Sequence, residues 1–507
     1  MRPIKLHALC ALTLAGSFFI TAESYAERLV ILHTNDTHSQ IDPNSKDLGG
    51  ILRRKVLVDS VRNAEPNVML VDAGDAVQGT LYFSLFGGEV EKRMMNKMGY
   101  DIQILGNHEF DNGMESLANM YRGVKATKLS TNYDLSGTEL DSLFVPYSIK
   151  QFGNRKIGFI AINIDPEGMI ADKNASGVKY LDGIKAANAT AWHLKHNEKA
   201  DMVIALTHIG YGDENEPGYT DKELAQKSED IDIIIGGHSH TAINPSNPAS
   251  PRWHIANMHG DSVLVTQTGK SGLYLGEIDI DLDNLASTYK LIPVDKRLDS
   301  RIDPTMAAIL EPYRHSVDSI RSIKIGRTGE EMDPDGSLMN FVSDFVYDQG
   351  KKLNKNVELG IVNKGGIRCP MPKGNITQGL IMQMLPFDNK VTVIELTGAD
   401  LLKGLDVMAS RGGDGVSGNV TATYDKNTGK CISVTVNGKP VDPEKKYTIA
   451  TIDYLSNGGD YMSSFRNGKT LNQSERVLYD DLIDYIKDGK YKGKVIKVDN
   501  TIRMKAL

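Results

Sequence analysis

Short apolar runs that alternate with longer segments of helical period constrain the fold of the first half of this chain. Strands whose two faces are both covered by helices give such continuous runs, because every side chain is buried. Between two of the runs, Asp182–Lys199 has a helical period and predicts a crossover helix. The predicted strands are Leu29–Leu32, Val68–Val71, Ile102–Leu105, Ile157–Ile162, Met202–Leu206 and Ile231–Ile235.

A change in the pattern of apolar and polar residues indicates a second domain. The segment Asp303–Ser322 has apolar residues at helical spacing, and the chain beyond it alternates apolar and polar residues between Asn-Gly and Gly-Gly turns. We predict an α/β fold, α+β overall, with a first domain at 27–300, a linking helix or hinge at 301–323 and an α+β domain at 324–507. The predicted strands of the second domain are Val391–Leu396, Val420–Tyr424, Ile432–Val436 and Tyr447–Ile452.

The first residues have the pattern of a secretory signal. Arg2 and Lys5 precede an apolar run that ends at Ile20, and small residues before Glu27 offer a cleavage site. The run is shorter than the ~20 residues of a spanning helix, which disfavours a retained membrane anchor. We therefore expect a signal peptide at 1–26 and a mature protein that is periplasmic or secreted.

Charge and cysteine content narrow the range of partners. The formal net charge of -7 is modest for 507 residues, so the overall field gives no attraction to a nucleic acid polymer or an anionic membrane. Cys369 and Cys431 remain after loss of the signal, and they could pair or stay as separate thiols.

Five apolar runs of the first domain end in a cluster of Asp, His or Asn. Ligand sites of open α/β sheets lie beyond the carboxyl ends of the strands, so these clusters could converge. If the strands continue in extended form, the pairs Asp36 with His38 and His238 with His240 project to one side. Imidazole, carboxylate and one amide suit zinc, manganese or iron, with enough ligands for two ions. The clusters lie at 33–38, 72–75, 107–111, 207–208 and 238–240.

Together the five clusters resemble the calcineurin-like metallophosphoesterases, and among them the exported, two-domain 5′-nucleotidase family. The resemblance covers nearly the whole mature chain. It implies a layered β-sandwich flanked by helices and two divalent metal ions, such as zinc or manganese. It also implies that His108, supported by Asp111, stays unligated and assists the leaving oxygen. His33 is expected to point into the sheet and Asp72 to support its loop, so at most they would act from outside the ligand set. The implied ligands are Asp36, His38 and His240 for the first metal, Asn107, His208 and His238 for the second, and Asp75 as the bridge.

Three motifs of the second domain also resemble that family. The motif 363–368 offers flexible backbone beside a guanidinium that can bind phosphate. The resemblance implies a nucleoside site; plain core packing remains the alternative for its aromatic residues. Unlike some bacterial members, the chain has no arginine in the stretch 332–340. The implied residues are Phe387 and Tyr454 around the base, Asn389 at its edge, Asp460 on the ribose, Arg368 on the phosphate, and Asn363 and Gly366 beside them.

These features favour a dinuclear-metal phosphohydrolase. It would cleave nucleoside 5′-monophosphates to nucleoside and phosphate by direct attack of a metal-bridging hydroxide. We expect no phospho-enzyme, because neither a Gly-x-Ser-x-Gly elbow nor a P-loop pattern is present. Alternatives are a 2′,3′-cyclic-nucleotide phosphodiesterase/3′-nucleotidase and a nucleotide-sugar hydrolase. A non-catalytic nucleotide-binding surface protein would not need His108 and Asp111.

Overall fold

A computed structural model describes residues 27–212 and 219–507. The predicted signal peptide at 1–26 lies outside the described residues. Within the described part of the chain, no helix is long and apolar enough to cross a membrane.

Two six-stranded sheets form the first part of the molecule, and each contains four parallel strands with antiparallel strands at the edges. In each sheet, the carboxyl ends of the parallel strands therefore lie along one edge. The first sheet has the order Ser287–Pro293, Tyr274–Asp281, Arg28–Thr34, Val68–Asp72, Ile102–Ile104, Thr127–Leu129. The second has the order His254–Ala256, Ser262–Thr266, Ile233–Ile235, Met202–His208, Arg155–Asn163, Tyr147–Phe152.

The strand Arg28–Thr34 shows why these sequences form continuous apolar runs. Leu29 and Ile31 belong to the core shared by the two sheets, whereas Val30 and Leu32 pack into the core on the opposite face. All four side chains are fully buried. The sheets therefore form the expected sandwich with helices outside it. Its helices are Ile51–Ala64, Leu81–Phe86, Glu89–Met98, Gly113–Arg122, Gly183–His196 and Asp221–Lys227.

All six strands predicted for this part are present, and each predicted end lies within two residues of the observed end. The predicted crossover helix is Gly183–His196, and it begins where the Asp182 carboxylate accepts a hydrogen bond from the Lys185 backbone N–H at 3.0 Å. The edge strands Tyr147–Phe152 and Ser287–Pro293 were not predicted, because most of their residues are only partly buried or exposed and several are polar.

The predicted linking helix is Pro304–Arg321. Asp303 caps it by accepting the Thr305 N–H at 2.8 Å, and proline occupies the first turn, where no amide hydrogen is needed. Arg314 donates from Nε to Oδ1 of Asp42 at 2.8 Å. The middle of this helix is therefore fastened to the sandwich by an ion pair.

The remaining residues form three small sheets, and all four predicted strands lie within them. Cys369 and Cys431 are both free thiols in this part of the molecule. The sheets have the orders Gly374–Thr377, Lys324–Thr328, Val495–Ile496; then Gly415–Val416, Leu359–Val362, Lys446–Ile452, Val391–Thr397, Lys469–Gln473; then Lys439–Pro440, Lys430–Val436, Val420–Asp425, Met504–Ala506. The helices are Ser337–Leu353, Gln378–Met384, Gly398–Ser410, Asp453–Ser456 and Leu478–Lys487.

Candidate active site

The five polar clusters meet at the carboxyl ends of the parallel strands. Among the described residues, three overlapping groups of side chains have ligand atoms within 4.8 Å of one another. Together the groups contain Asp and His side chains from all five clusters; of the predicted ligands, Asn107 and His238 lie outside them. The groups are Asp36, His38 and His240; Asp36, Asp75 and His208; and His38, Asp75 and His108.

The first predicted ligand set is compact. Nε2 of His240 lies 2.9 Å from Nε2 of His38 and 3.5 Å from Oδ1 of Asp36. Nε2 of His38 lies 3.8 Å from the same Asp36 oxygen. Ligand atoms at ~2.0–2.2 Å from one divalent ion stand about this far apart, so the donor set fits a metal.

The second set is organised around His208. Its ring is fully buried, and Nδ1 lies 2.7 Å from the carbonyl oxygen of Ala73, so Nδ1 carries the proton and donates it. Nε2 is a buried atom without a hydrogen-bond partner in the described structure, 3.1 Å from Oδ2 of Asp75. This arrangement presents a lone pair as a metal ligand does. Oδ1 of Asn107 lies 3.0 Å from Nδ1 of His238 beside it.

Asp75 lies between the two sets. Its Oδ2 is 3.1 Å from Nε2 of His208 and 4.0 Å from Nε2 of His38, whereas its Oδ1 accepts the backbone N–H of His108 at 2.9 Å. One oxygen is thus fixed by the protein and the other faces both ligand sets. A bridging carboxylate needs this position.

The expectation that Asp36 with His38, and His238 with His240, continue their strands in extended form was wrong. The strands end at Thr34 and Ile235, and the four residues have φ values of 50°, 46°, 78° and 58°. The loops bond to one another instead: Asp36 N–H donates to Gly74 O at 2.9 Å and His38 N–H to Asp75 O at 3.0 Å. The left-handed conformation costs a non-glycine residue roughly 1–2 kcal/mol, so these contacts hold strained ligands in place.

Electrostatics leave most of the imidazoles neutral. Burial lowers the pKa of His238 to about 3 and that of His240 to about 2, and the charges of His208 and Lys270 respectively add to this. Burial also opposes the charge on His208, but Asp75 outweighs it and raises the pKa of His208 to about 10. Neutral imidazoles are the form that binds metals, so His238 and His240 can coordinate at neutral pH. His208 holds a second proton at Nε2 in the metal-free protein, and a metal bound there would displace that proton.

His108 is held by a carboxylate that the metal ligands do not use. Its Nδ1 lies 2.8 Å from Oδ2 of Asp111. Burial opposes protonation of His108, and Asp111 and Asp75 reverse this effect and raise its pKa. His108 also approaches His38 and Asp75 closely enough to be a ligand. Its pairing with Asp111 instead suits a group that holds a proton for the substrate.

Sequence reasoning missed Glu109, which ties two ligand loops together. Its carboxylate accepts the backbone N–H groups of Gly106 at 2.6 Å, Asp75 at 3.0 Å and Ala76 at 2.8 Å. The side chain is 3% exposed. In the sequence it looks like one more charged residue of a polar cluster; only the contact to residues more than thirty positions away reveals its role.

A cleft of about 620 Å³ joins the two parts of the molecule beside these residues. The Phe387 ring stacks on His108 with 5.8 Å between centroids, and the Arg368 guanidinium lies 5.9 Å from the Phe387 ring centre. All seven predicted substrate residues line the cleft, together with His108 and Asp111. The seven are Asn363, Gly366, Arg368, Phe387, Asn389, Tyr454 and Asp460.

The Asp460 carboxylate is held from two sides. Asn363 donates from Nδ2 to its Oδ2 at 2.6 Å, and the Tyr454 hydroxyl donates to its Oδ1 at 3.3 Å. The Asp460 N–H in turn donates to the Tyr454 hydroxyl oxygen at 3.1 Å. These contacts join two loops that are nearly a hundred residues apart in sequence, and their acidic group faces the cleft.

Lys270 is a cation near Arg368 and the potential metal ligand Asp36, and it belongs to none of the motifs of the sequence. Its neighbours anchor it there: Ser271 N–H donates to Asp36 O at 2.7 Å, and Asn35 donates from Nδ2 to Gly269 O at 2.9 Å. Burial lowers the pKa of Lys270, and the charge of Arg368 lowers it further. The two cations therefore share one region of the site.

Comparison with known proteins agrees with this geometry. The sequence model of the calcineurin-like phosphoesterases matches residues 29–242, and that of the 5′-nucleotidase C-terminal domain matches residues 316–467. The chain belongs to the 5′-nucleotidase family. It is therefore a metal-dependent phosphoester hydrolase, and the family uses two divalent metal ions.

Relatives of this 5′-nucleotidase family member extend over most of its length. Human 5′-nucleotidase is 28% identical over 91% of this chain and 88% of its own. The trifunctional nucleotide phosphoesterase protein YfkN of Bacillus subtilis is 28% identical over 94% of this chain, which spans only 35% of that relative. Among solved structures, the 5′-nucleotidase precursor of Thermus thermophilus has a TM-score of 0.84 at 27% identity, covering 95% of this chain and 99% of its own.

Proposed function

We propose that the protein hydrolyses nucleoside 5′-monophosphates to nucleoside and phosphate. The observation that carries the proposal is the stacking of Phe387 on His108. An aromatic surface for a base and a proton-holding imidazole for the leaving oxygen occupy one cleft beside seven potential metal ligands. Stacking on an aromatic side chain tolerates any base and is worth ~1–3 kcal/mol, so broad base acceptance follows.

Each group of residues has a defined part in the proposed reaction. Asp36, His38 and His240 would hold one metal and Asn107, His208 and His238 the other, with Asp75 between them. Two bound cations lower the pKa of water and neutralise phosphoryl charge. Water attacks phosphorus in line, without a phospho-enzyme. His108, whose protonated form is favoured by Asp111, would donate from Nε2 to the departing 5′ oxygen, because Nδ1 is engaged.

The second domain would select the substrate. We propose that Phe387 and Tyr454 contact the base, Asn389 its edge and Asp460 the ribose hydroxyls, and that Arg368 binds the phosphate beside Asn363 and Gly366. Their common position in the cleft supports this assignment. We also propose domains at 27–300 and 324–507 joined by 301–323, with export after removal of 1–26. Protein sequencing of the mature N-terminus tests the last point, and a start near Glu27 is expected.

Phosphate release from five substrates, together with chromatography of the products, tests the activity, because opening a cyclic phosphate or cleaving a nucleotide sugar releases no inorganic phosphate by itself. The panel is AMP, UMP, a 2′,3′-cyclic nucleotide, UDP-glucose and glucose 6-phosphate, each with added manganese or zinc and with a chelator control. We expect metal-dependent release from AMP and UMP and little from glucose 6-phosphate. Preference for the cyclic nucleotide or UDP-glucose would replace the proposed substrate by one of the alternatives, and silence on all five would contradict nucleotide hydrolysis.

A further inference from the structure

Arg411 lies at the centre of a set of contacts that the proposed chemistry does not use. It follows the helix Gly398–Ser410 and donates from Nη1 to the backbone carbonyl oxygen of Asp460 at 2.7 Å. The same nitrogen lies 3.7 Å from Oδ2 of Asp460. Nη2 donates to Oδ2 of Asp414. Its guanidinium therefore bridges the Asp460 loop and a second acidic residue.

Asp414 extends this connection to the other substrate loop. It is 6% exposed, and its Oδ1 accepts the backbone N–H of Lys364 at 2.9 Å. Lys364 directly follows Asn363, whose amide binds the Asp460 carboxylate at 2.6 Å. The contacts thus close a ring: Asp460 is joined to the loop 363–366 directly through Asn363 and indirectly through Arg411 and Asp414.

The backbone at Asp460 needs such support. Asp460 and Tyr461 have φ values of 52° and 59°, in the left-handed region that non-glycine residues occupy at a cost. Arg411 binds the carbonyl of the first of these residues with a charge-assisted hydrogen bond, which is stronger than a neutral one. Without it, the strained turn could relax and rotate the carboxylate out of the cleft.

We propose that Arg411, held by Asp414, is the positioning residue that fixes Asp460 for recognition of the ribose. This inference rests on the proposed function, in which Asp460 binds the ribose hydroxyls. Arg411 itself does not reach the reacting atoms in this assignment. It acts through the Asp460 backbone, and its removal therefore affects recognition of the sugar and leaves the metal chemistry intact.

Two substrates separate recognition of the ribose hydroxyls from binding of the base and phosphate and from the chemical step. They are AMP and 2′,3′-dideoxy-AMP, which lacks the ribose hydroxyls. In the metal-loaded wild type, AMP should have the lower KM. In Arg411→Met, the KM for AMP should rise about tenfold, as for loss of a hydrogen bond to a charged group. The KM for the dideoxy substrate and both kcat values should stay the same, so the two KM values converge.

Matched variants complete the test. Arg411→Lys keeps one charge and should fall between wild type and Arg411→Met, and Asp414→Asn should shift KM in the same direction. Arg476→Met removes an exposed arginine that pairs with Asp484 at 2.6 Å in the same domain, and it should leave both KM values unchanged. If Arg411→Met does not fold, Arg411→Lys and Asp414→Asn carry the comparison.

The outcomes separate the two proposals. A wild type that does not hydrolyse AMP contradicts the proposed function. A wild type that prefers AMP, with an unchanged AMP-to-dideoxy ratio in Arg411→Lys and Asp414→Asn, overturns the role of Arg411 alone. Equal loss of kcat on both substrates would also overturn it, because that result indicates damage to the whole site.

Discussion

Nδ1 of His108 lies 2.8 Å from Oδ2 of Asp111, and this contact separates His108 from the neighbouring imidazoles that face the metal positions. His108→Ala should therefore lower kcat by about 10²–10⁴, the usual contribution of a general acid. The metal content should stay near two ions per chain. Steady-state kinetics and elemental analysis of the same preparation check both statements; loss of one ion would make His108 a ligand.

Removal of the Glu109 carboxylate should weaken metal binding, because this carboxylate holds the backbone of the loops that carry the potential ligands. In Glu109→Gln, an amide NH₂ replaces one of the oxygens that accept the N–H groups of Gly106, Asp75 and Ala76, so donors face donors. We expect metal content well below two per chain after gel filtration, measured by elemental analysis. Glu115→Gln, on the exposed face of the next helix, is the control. Full metal content in Glu109→Gln would contradict this role.

Lys270 should contribute to phosphate binding, since it shares a region with Arg368 and the stretch 332–340 contains no arginine. Lys270→Met should lower kcat/KM for AMP and for UMP alike, by about tenfold, because a phosphate contact does not distinguish bases. Lys290→Met removes a lysine that pairs with Glu277 at 2.6 Å on an edge strand and should have no effect. A loss confined to one base would place Lys270 at the nucleobase.

Glu91 should make stability depend on pH. It is 2% exposed, and burial raises its pKa from 4.5 to about 7. Between these values the unfolded chain loses a proton that the folded protein keeps, so the carboxyl destabilises the fold increasingly as pH rises. Glu91→Gln removes this penalty, and its gain in unfolding free energy should grow from about 1 kcal/mol near pH 5 to about 3 kcal/mol near pH 8.

Urea unfolding of the metal-loaded protein at both pH values measures the gain. Glu89 lies on the same helix, and its pKa is lowered by Lys92 and Arg93 against the effect of burial. Glu89→Gln should therefore not stabilise the protein at either pH. An equal gain for Glu91→Gln at both values would show that its carboxyl is ionised in the fold.

The strands of the sandwich could be predicted because a strand that is buried on both faces has a continuous run of apolar residues, as at Leu29–Leu32. The edge strand Tyr147–Phe152 has no such apolar run, since its residues are mostly only partly buried. The second domain could be predicted from the change from continuous to alternating apolar patterns. Its strands could be located because turn residues, which are visible in the local sequence, lie at their ends.

The site was predictable in its chemistry and not in its conformation. Asp36 and His38 were expected on an extended chain, but their positive φ values arise from hydrogen bonds to Gly74 and Asp75, which lie nearly forty residues away. Arg411 was missed for the same reason, because its partner Asp460 is 49 positions distant. Short-range patterns record burial, whereas these contacts depend on the assembled fold.

The potential metal ligands all precede residue 241, and the residues proposed to select the nucleoside all follow residue 362. In the proposed assignment, bond cleavage and substrate choice therefore depend on separate stretches of the chain. Under that assignment, changes in the later stretch redirect such an enzyme to another phosphate ester without disturbing the strained loops that carry the potential metal ligands. That separation makes the architecture a permissive starting point for the divergence and laboratory evolution of new specificities.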